Sequence, residues 1–352
     1  MLRTIINVNA PARFWQDVVH QRAGYRFAAA PVISVSGHIR SPFVFQLNSA
    51  WSAAHSLWQA QTHQADLVIS HHRTAAVWYE LFAMVRRPPV PHLIAHVLVP
   101  EPKPTLRSRL FYAVKRRLLG RVECVVCHSR TDARQFAQWL GVPADRFVFL
   151  PLRSDPIPGI PVKDEGYLFS GGFEQRDFGT LVQALDGLHV PAHIITARAL
   201  LPDSVPPFVH HESVVPQRQF RERMAAARLI VIPLHANVVS SGQTTLVDAL
   251  SLGKPVIVSD VPGVRDYVHH GVNGWLVPPG DVIALRSAIR RLWDTERERY
   301  GLAAGASASA VALTWSAFGD ALDALSVELV ARSVPPETVL HTPGPSDQPQ
   351  TG

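Results

Sequence analysis

Short apolar segments alternate with helix-like segments along most of this chain, and this alternation limits its possible folds more than any other feature. Segments such as LIVIPL and PVIVSD are rich in β-branched residues, which is typical of strands buried on both faces. Strands that alternate with helices form parallel sheets covered by helices on both sides. The sequence therefore predicts an α/β fold.

The alternation continues through both halves of the chain. In the first half we predict strands in PFVFQL, ADLVISHH, PHLIAHVLV, ECVVCHS and RFVFLPL, and helices in SAAHSLWQAQTHQ, TAAVWYELFAMVRR, the basic segment 103–121 and RTDARQFAQWLG. In the second half we predict strands in GYLFSGG, AHIITA, FVHHESVV, LIVIPL, PVIVSD and GWLVP, and helices in RDFGTLVQAL, RQFRERMAAA, QTTLVDALSLG and VIALRSAIRRLWDTERERYG. A last helix near TWSAFGDALDALSVELVARS is expected to close the second half.

A proline-rich segment divides the chain. Residues 153–166 break the alternation with prolines and glycines, as a linker does, and 352 residues exceed what a single core usually covers. We therefore predict an N-terminal domain at 1–152 and a C-terminal domain at 167–330, followed by a disordered, proline-rich tail at 331–352. Ligands of open parallel sheets bind outside the carboxyl ends of the strands, so the cleft between the domains is the predicted site.

The composition bears on location. The chain has no stretch of about 18 apolar residues, so we expect no membrane-spanning helix. Its first residues lack the layout of a signal peptide, and it has only two cysteines, so a cytoplasmic, reducing location is expected.

The two cysteines, Cys124 and Cys127, lie in the segment CVVC. A redox pair or a zinc site is one interpretation. Because this segment is predicted as a strand, residues three apart point to opposite faces, and two separate core thiols are favoured.

The chain is basic, with a formal charge of +6 and a pI near 9.7, which raises the question of a nucleic-acid or anionic membrane partner. The cations are spread out and the sequence has no zinc-finger or RNA-recognition signature, so we expect no nucleic-acid partner. The densest basic segment, 103–121, carries an apolar stripe formed by Leu106, Leu110, Val114 and Leu118. A solvated basic helix and a peripheral contact with an anionic membrane both remain open for it.

Small polar residues precede a predicted helix in SSGQTTLVDALSLGKPVIVSD. Ser240 and Gln243 have the spacing of a capping box. Alternatively, free backbone N–H groups and the helix dipole bind phosphate here, with a glycine that lets the ligand approach closely. Both interpretations remain open. The candidate donor-binding residues of this segment are Ser240, Ser241, Gly242, Gln243, Thr244 and Thr245.

Two further loops are predicted at the same sheet edge. In SGGFEQRDFGTLVQAL, a strand ends near Gly171 and Gly172, and Arg176 follows. An arginine there can clamp a phosphate, although a tight turn with a solvated arginine explains the same residues. After PVIVSD, a Pro-Gly turn leads to Asp266, which either faces the site or caps a short helix. Asn273-Gly274 predicts a turn before the final strand.

These segments together resemble the nucleotide-sugar half of family 4 glycosyltransferases, the retaining enzymes of GT-B architecture. The family pattern runs Glu-x7-Glu-Ala-x-Ala-x-Gly-x-Pro-Val, then Gly-Gly-x-x-Glu and Asn-Gly. The matching parts of this chain are Asp248-Ala249-Leu250, Gly253-Lys254-Pro255-Val256, Gly263 to Asp266 and Asn273-Gly274. The resemblance covers about residues 165–330, and it implies two Rossmann-like domains that face each other across a cleft.

The resemblance also implies roles for individual residues. Asp248 matches the glutamate that binds the ribose of the nucleotide, whereas Ser240 stands where the family has a carboxylate facing the transferred sugar. Gly172 stands at the arginine of the family's Gly-Arg element, which leaves Arg176 as the side-chain cation for the diphosphate.

In the first half the resemblance is looser. His96 fits a histidine placed near the reacting sugar, and Ser129 fits a serine after the next strand. His71 and His72 end another strand on the same side.

The expected function is therefore retaining transfer of a sugar from a nucleotide sugar to a glycan or lipid-linked glycan. His96 and Arg176 are the expected catalytic residues, and no metal ion or other cofactor is expected. The alternative is a non-catalytic nucleotide-sugar-binding partner in a polysaccharide assembly complex. An epimerase or hydrolase of the same architecture would need additional acid and base carboxylates, which the sequence does not reveal.

Overall fold

The structure is a computed structural model that describes residues 2–7, 25–27, 42–71, 73–85, 90–97, 99, 101–237 and 239–333. His72 and residues 334–352 of the predicted tail lie outside the described residues.

The first domain is built from short strands and longer helices. Its elements are β1 (Thr4–Asn7), β2 (Tyr25–Phe27), α1 (Pro42–Thr62), β3 (Leu67–Ser70), α2 (Arg73–Ala83), β4 (His92–Ile94), α3 (Leu106–Leu119), β5 (Cys124–Cys127), α4 (Arg130–Leu140), a 3-10 turn (Ala144–Arg146) and β6 (Phe147–Phe149).

The second domain repeats this alternation. Its elements are β7 (Leu168–Gly171), α5 (Phe178–Leu185), β8 (Ala192–Ile195), a 3-10 turn (Arg198–Leu200), β9 (Val209–Glu212), α6 (Gln217–Ala226), β10 (Leu229–Ile232), α7 (Gln243–Ser251), β11 (Val256–Ser259), a 3-10 turn (Val264–Asp266), β12 (Trp275–Val277), α8 (Val282–Asp294) and α9 (Glu296–Ala310). A 3-10 turn (Val311–Leu313) and α10 (Trp315–Ser333) follow.

Each domain has one sheet whose described strand pairs are all parallel. The strand order is β2-β1-β3-β4-β5-β6 in the first sheet and β12-β11-β10-β7-β8-β9 in the second. The predicted α/β class with two Rossmann-like domains is therefore confirmed. In the second sheet, β7 and β10 are neighbours although five elements, from α5 to α6, separate them along the chain. Connections leave in opposite directions from this pair, which opens a crevice at its carboxyl end.

The segment PFVFQL is the beginning of helix α1, so the prediction of a strand there is wrong. Proline is well tolerated at the first helical position, and a short apolar run cannot be distinguished from a helix by periodicity alone. The helix buries Ser52, Ala53 and Ser56, whereas Leu47 is exposed. Strands β1 and β2, which precede α1, were not predicted.

The last helix, α10, packs on the first domain. Phe318 and Leu322 join a core with Ile69 and Leu93 of the first sheet, so the expectation that this helix closes the second domain is wrong. Amphipathic spacing identifies the apolar face of a helix but does not indicate which domain that face packs against.

Among the described residues, no single helix has the length and apolarity needed to cross a bilayer. One bent pair, Glu296–Leu313 with Trp315–Ser333, meets these criteria by length and composition only.

Two smaller predictions can be compared with the structure. Cys124 and Cys127 are free, buried thiols that join cores on opposite faces of the first sheet, as predicted. Burial raises the pKa of Cys124 to about 12, so its thiol is unreactive at neutral pH.

The predicted helix over VIALRSAIRRLWDTERERYG is two helices, α8 and α9, with a break at Thr295.

Candidate active site

The crevice between β7 and β10 is bordered by two glycines with left-handed backbones. Gly172 follows β7 with φ of 115°, and Gly242 precedes α7 with φ of 75°. A Cβ atom would lie 2.5 Å from Nη2 of Arg176 at Gly172, and 3.3 Å from Nη1 at Gly242. The guanidinium of Arg176 therefore lies between the two glycine backbones, and their lack of side chains allows it to do so.

Arg176 is a buried cation whose hydrogen-bond partners among the described residues are all neutral oxygens. Its side chain donates to Gly171 O at 2.9 Å, to Glu174 O at 3.0 Å and to Thr245 Oγ1 at 2.9 Å, and the residue is 7% exposed. No carboxylate of the described residues lies within ion-pairing distance of it. Burial lowers its pKa to about 10, so it stays charged at neutral pH. The negative charge of Glu174 opposes this shift without pairing directly with the guanidinium. A buried cation that lacks a directly paired carboxylate is unfavourable, so the position favours an anionic ligand.

Helix α7 begins without a side-chain cap, so the capping-box interpretation, one of the two left open by the sequence, is wrong. The N-cap is Gly242, and no side chain accepts a hydrogen bond there. Because the first turn of a helix lacks internal acceptors for its N–H groups, those near Gln243, Thr244 and Thr245 remain suited to an anion. Ser241 Oγ, also a predicted ligand, accepts a hydrogen bond from Asn237 Nδ2 at 3.0 Å.

Ser240 and Gln243, predicted as donor ligands, make contacts across the domain boundary. Ser240 N donates to Asp132 Oδ1 at 2.9 Å, and its hydroxyl donates to the same carboxylate. Gln243 Nε2 donates to His128 O at 2.8 Å. Burial raises the pKa of Asp132 although Ser240 hydrogen bonds oppose the shift. The position that resembles the family carboxylate therefore has a carboxylate beside it, contributed by helix α4 of the first domain.

The loop after β11 makes further contacts with the first domain. Asp266 Oδ2 accepts from Arg130 N, the first N–H of α4, at 2.9 Å. Asp266 therefore joins the domains and does not cap the short 3-10 turn in which it lies, whose N-cap is Gly263. Tyr267 OH donates to His128 O at 2.6 Å. A cavity of about 290 Å³ lies here, lined by Thr131 and by residues of the loop from Asp260 to Asp266.

Three histidines follow neighbouring strands of the first sheet. The ring of His96 lies 5.0 Å from that of His128 and 6.5 Å from that of His71, in stacked orientations. Burial lowers the pKa of His128 to about 3, and the nearby charges of His96 and Arg153 add to this. The ring of His96 thus stacks on that of His128, and the backbone carbonyl of His128 accepts a hydrogen bond from Gln243 of the second domain. The catalytic role of His96 stays a prediction.

Ser129 and Asp248 have structural partners. Ser129 is the N-cap of α4 and accepts from the N–H groups of Thr131 and Asp132. Asp248 is buried, accepts from Ser154 Oγ of the linker, and lies 3.6 Å from Arg221 Nε. Burial raises its pKa in spite of the arginine. The predicted ribose role of Asp248 stays a prediction, and a ribose would have to share or displace these partners.

Sequence reasoning missed Asp132, His128 and Tyr267 at this site. Asp132 lies three residues after the N-cap residue Ser129, which is the spacing of a capping box. A role at the start of α4 is therefore enough to account for this residue, and nothing in the sequence indicates a contact with the second domain. His128 contributes its backbone carbonyl, and no side-chain pattern predicts such a role.

Comparisons with known proteins extend over both domains. The family model "Glycosyl transferase 4-like domain" matches residues 6–153, and "Glycosyl transferases group 1" matches residues 192–295. The D-inositol 3-phosphate glycosyltransferase of Thermobispora bispora is 30% identical over 208 residues, which cover 56% of this chain and 47% of that protein. The chain spans at most about half the length of the curated relatives it matches.

Solved structures share the fold over nearly the whole chain. Sucrose-phosphate synthase from Thermosynechococcus elongatus matches with a TM-score of 0.68 at 16% identity, covering 94% of this chain and 99% of that one. HepE from Anabaena, solved in complex with UDP and glucose, matches with a TM-score of 0.64 at 17% identity, covering 92% of this chain and 99% of that one. At these identities the likeness concerns the fold.

Proposed function

We propose, since this chain belongs to the family 4-like glycosyltransferases of GT-B architecture, that it transfers a sugar from a nucleotide sugar to an acceptor hydroxyl with retention at the anomeric carbon. The supporting observation is the guanidinium of Arg176, buried between Gly172 and Gly242 with only neutral oxygens as partners among the described residues. The diphosphate of a nucleotide sugar would supply the missing negative charge.

The proposed catalysis is electrostatic. Negative charge grows on the diphosphate as the bond between sugar and phosphate breaks, and donors that are already in place stabilise it without reorganisation. Arg176 and the N–H groups at the start of α7 are these donors. In this proposal the reaction needs no metal ion or other cofactor and no protein nucleophile.

The first domain is proposed to contribute the acceptor side of the site. His96 would face the transferred sugar, beside the buried His128 and next to the domain boundary. The contacts of Ser240 with Asp132 and of Gln243 with His128 O hold the two domains together. A closed cleft excludes water, which would otherwise intercept the activated sugar.

We propose a glycan or lipid-linked glycan as acceptor, presented at the cytoplasmic face of an anionic membrane. Helix α3 exposes Leu106 (83%), Leu110 (67%) and Val114 (52%). Beside it lies a groove of about 360 Å³ lined by Trp78, Phe111 and Lys115, among others. Burial and the neighbouring charge of Arg73 lower the pKa of Lys115 to about 8. Exposed apolar side chains next to cations fit the surface of an anionic bilayer.

The second candidate is a nucleotide-sugar-binding partner without catalysis. It is favoured by Ser240, which has no charge where the family resemblance expects a carboxylate. In that case the donor binds, and neither transfer nor hydrolysis follows.

The test is calorimetric binding of UDP, GDP and ADP, each alone and linked to a sugar, to three proteins. These are the wild type, Arg176→Met and the control Arg286→Met. Arg286 is a suitable control because its side chain also donates to carbonyls, those of Ala184 and Gln183, and lies between α5 and α8.

We expect wild type and control to bind one of the nucleotides equally well. Arg176→Met should weaken that binding by about 30-fold or more, which corresponds to roughly 2 kcal/mol for one lost phosphate donor. Absence of binding by the wild type, or equal affinity in Arg176→Met, would contradict the proposal. Binding without turnover of any donor would favour the second candidate.

A further inference from the structure

Two neighbouring strands at the edge of the second sheet carry a histidine-rich face that the proposed reaction does not use. His193 of β8 and His210 of the edge strand β9 are register partners in a parallel pair. Side chains at the same register lie on the same face, and a residue two positions further along a strand lies on that face as well. Glu212 is two positions after His210, so all three side chains share one face of the sheet.

The three side chains converge at close range. His193 Nε2 lies 3.0 Å from Glu212 Oε1, and His210 Nε2 lies 3.6 Å from the same oxygen. One ligand atom from each residue lies within 4.8 Å of the other two. His193 Nε2 is buried, yet it is not aligned for a hydrogen bond with that carboxylate or with any other described group. Three potential ligand atoms thus point into one small space.

We propose that His193, His210 and Glu212 bind a zinc ion through two imidazole nitrogens and one carboxylate oxygen. Zinc binds such atoms at about 2.0–2.2 Å in a tetrahedron, which places neighbouring ligand atoms roughly 3.3 Å apart. The two separations from Glu212 Oε1, 3.0 Å and 3.6 Å, lie on either side of that value. Two nitrogens and one oxygen also match the ligand preference of zinc better than that of magnesium or calcium. A water molecule completes the tetrahedron.

The surroundings of the cluster are compatible with a bound cation. Arg223 Nε lies 3.3 Å from Glu212 Oε1, and its side chain is 45% exposed, so it has room to turn away. The ring of Tyr167 packs 5.7 Å from that of His193 and shields this side. The ion would join the edge strand β9 to β8 through side chains, in addition to the backbone ladder. The site has no residue in common with the nucleotide site, and the proposal does not depend on the glycosyltransferase activity.

The test is zinc binding to the full chain, purified without a histidine tag and stripped with a chelator. Equilibrium dialysis against zinc sulfate compares wild type, His210→Ala, Glu212→Gln and the control His211→Ala. His210 is 66% exposed at its side chain, so its replacement leaves the core intact. His211 is the matched control because the next residue on a strand points to the opposite face, where its ring contacts Thr196 O.

We expect one zinc ion per wild-type chain, bound with micromolar or tighter affinity and equally well by His211→Ala. Loss of a ligand in His210→Ala or Glu212→Gln should weaken this binding by about tenfold or more. Zinc should also raise the melting temperature of wild type and control by about 2 °C or more, and not that of the two ligand variants. No saturable site in the wild type, or binding that both ligand variants retain, would overturn the proposal.

Discussion

Nη2 of Arg176 donates a hydrogen bond to Thr245 Oγ1 at 2.9 Å, which joins the loop after β7 to the first turn of α7. The same side chain donates to Gly171 O, so it is held from both sides of the crevice. The cation is therefore in place before any ligand arrives. Binding sites prepared in this way lose little entropy when the ligand binds.

Replacing Gly172 by alanine should displace Arg176. The new Cβ would lie 2.5 Å from Nη2, at a φ of 115° that is strained for alanine. We expect nucleotide affinity to fall by about tenfold or more, consistent with the loss of a charge-assisted contact. Calorimetry measures this loss.

Gly187→Ala is the matched control for this substitution, because Gly187 has a φ of 74° and no atom within 4 Å of the position of a Cβ. Both variants should lose stability through backbone strain, by about 1–2 kcal/mol, and the control should keep its affinity. Equal nucleotide affinities in the two variants would show that Arg176 does not contact the nucleotide.

Arg176→Met should separate activity from stability. An apolar side chain avoids the cost of burying a cation, whereas the three oxygens that accept from Arg176 lose their donor. Because these effects oppose each other, we expect the free energy of unfolding to change by only about 1–2 kcal/mol in either direction. Turnover of the donor should fall by about 30-fold to 1000-fold. Urea unfolding and kinetics on the same preparation give both quantities. A loss of activity that merely parallels unfolding would assign Arg176 a structural role.

The stability of the fold should depend on pH through His128. Burial lowers the pKa of this histidine to about 3, whereas an unfolded histidine titrates near 6.5. Between these values the unfolded chain binds the extra proton, so stability is complete above about pH 6.5 and falls by up to about 1.4 kcal/mol per pH unit below it. His96, His71 and Arg153 face the same ring and act in the same direction.

Urea unfolding between pH 4 and pH 8 measures this dependence. His128→Asn should flatten the curve below pH 6.5, whereas the exposed His269→Asn should leave it unchanged. An unchanged slope in His128→Asn would show that other groups dominate acid unfolding.

Binding to vesicles should require the apolar stripe of α3. Leu106→Ser combined with Leu110→Ser should abolish sedimentation with vesicles rich in phosphatidylglycerol, because these side chains are 83% and 67% exposed. Ile283→Ser, at a position 79% exposed on α8, is the control and should bind as the wild type does. Binding that survives the double substitution, or that is equal with neutral phosphatidylcholine vesicles, would remove the proposed membrane contact.

The sequence predicts the elements of this protein well and their partners poorly. The strands from β3 to β12 all lie within predicted segments, because an apolar, β-branched run between helices is a local signal. The segment PFVFQL and the single long helix over residues 282–301 were wrong, because short apolar runs and helix breaks depend on neighbouring elements. At the site, the glycines and Arg176 were identified from their places at the end of a strand and the start of a helix.

What the sequence alone determined is the set of elements and the chemistry offered at their ends, because backbone preferences and apolar spacing act over a few residues. The tertiary structure decided which groups meet. Asp132 lies beside Ser240, Asp248 beside Arg221, α10 on the first domain, and Glu212 beside two histidines. Each of these contacts depends on strand register or on packing between distant segments. An apolar helix face or a buried charge is stable only when another group covers or pairs with it. The sequence shows that such a group is needed, and only the folded chain shows which group it is.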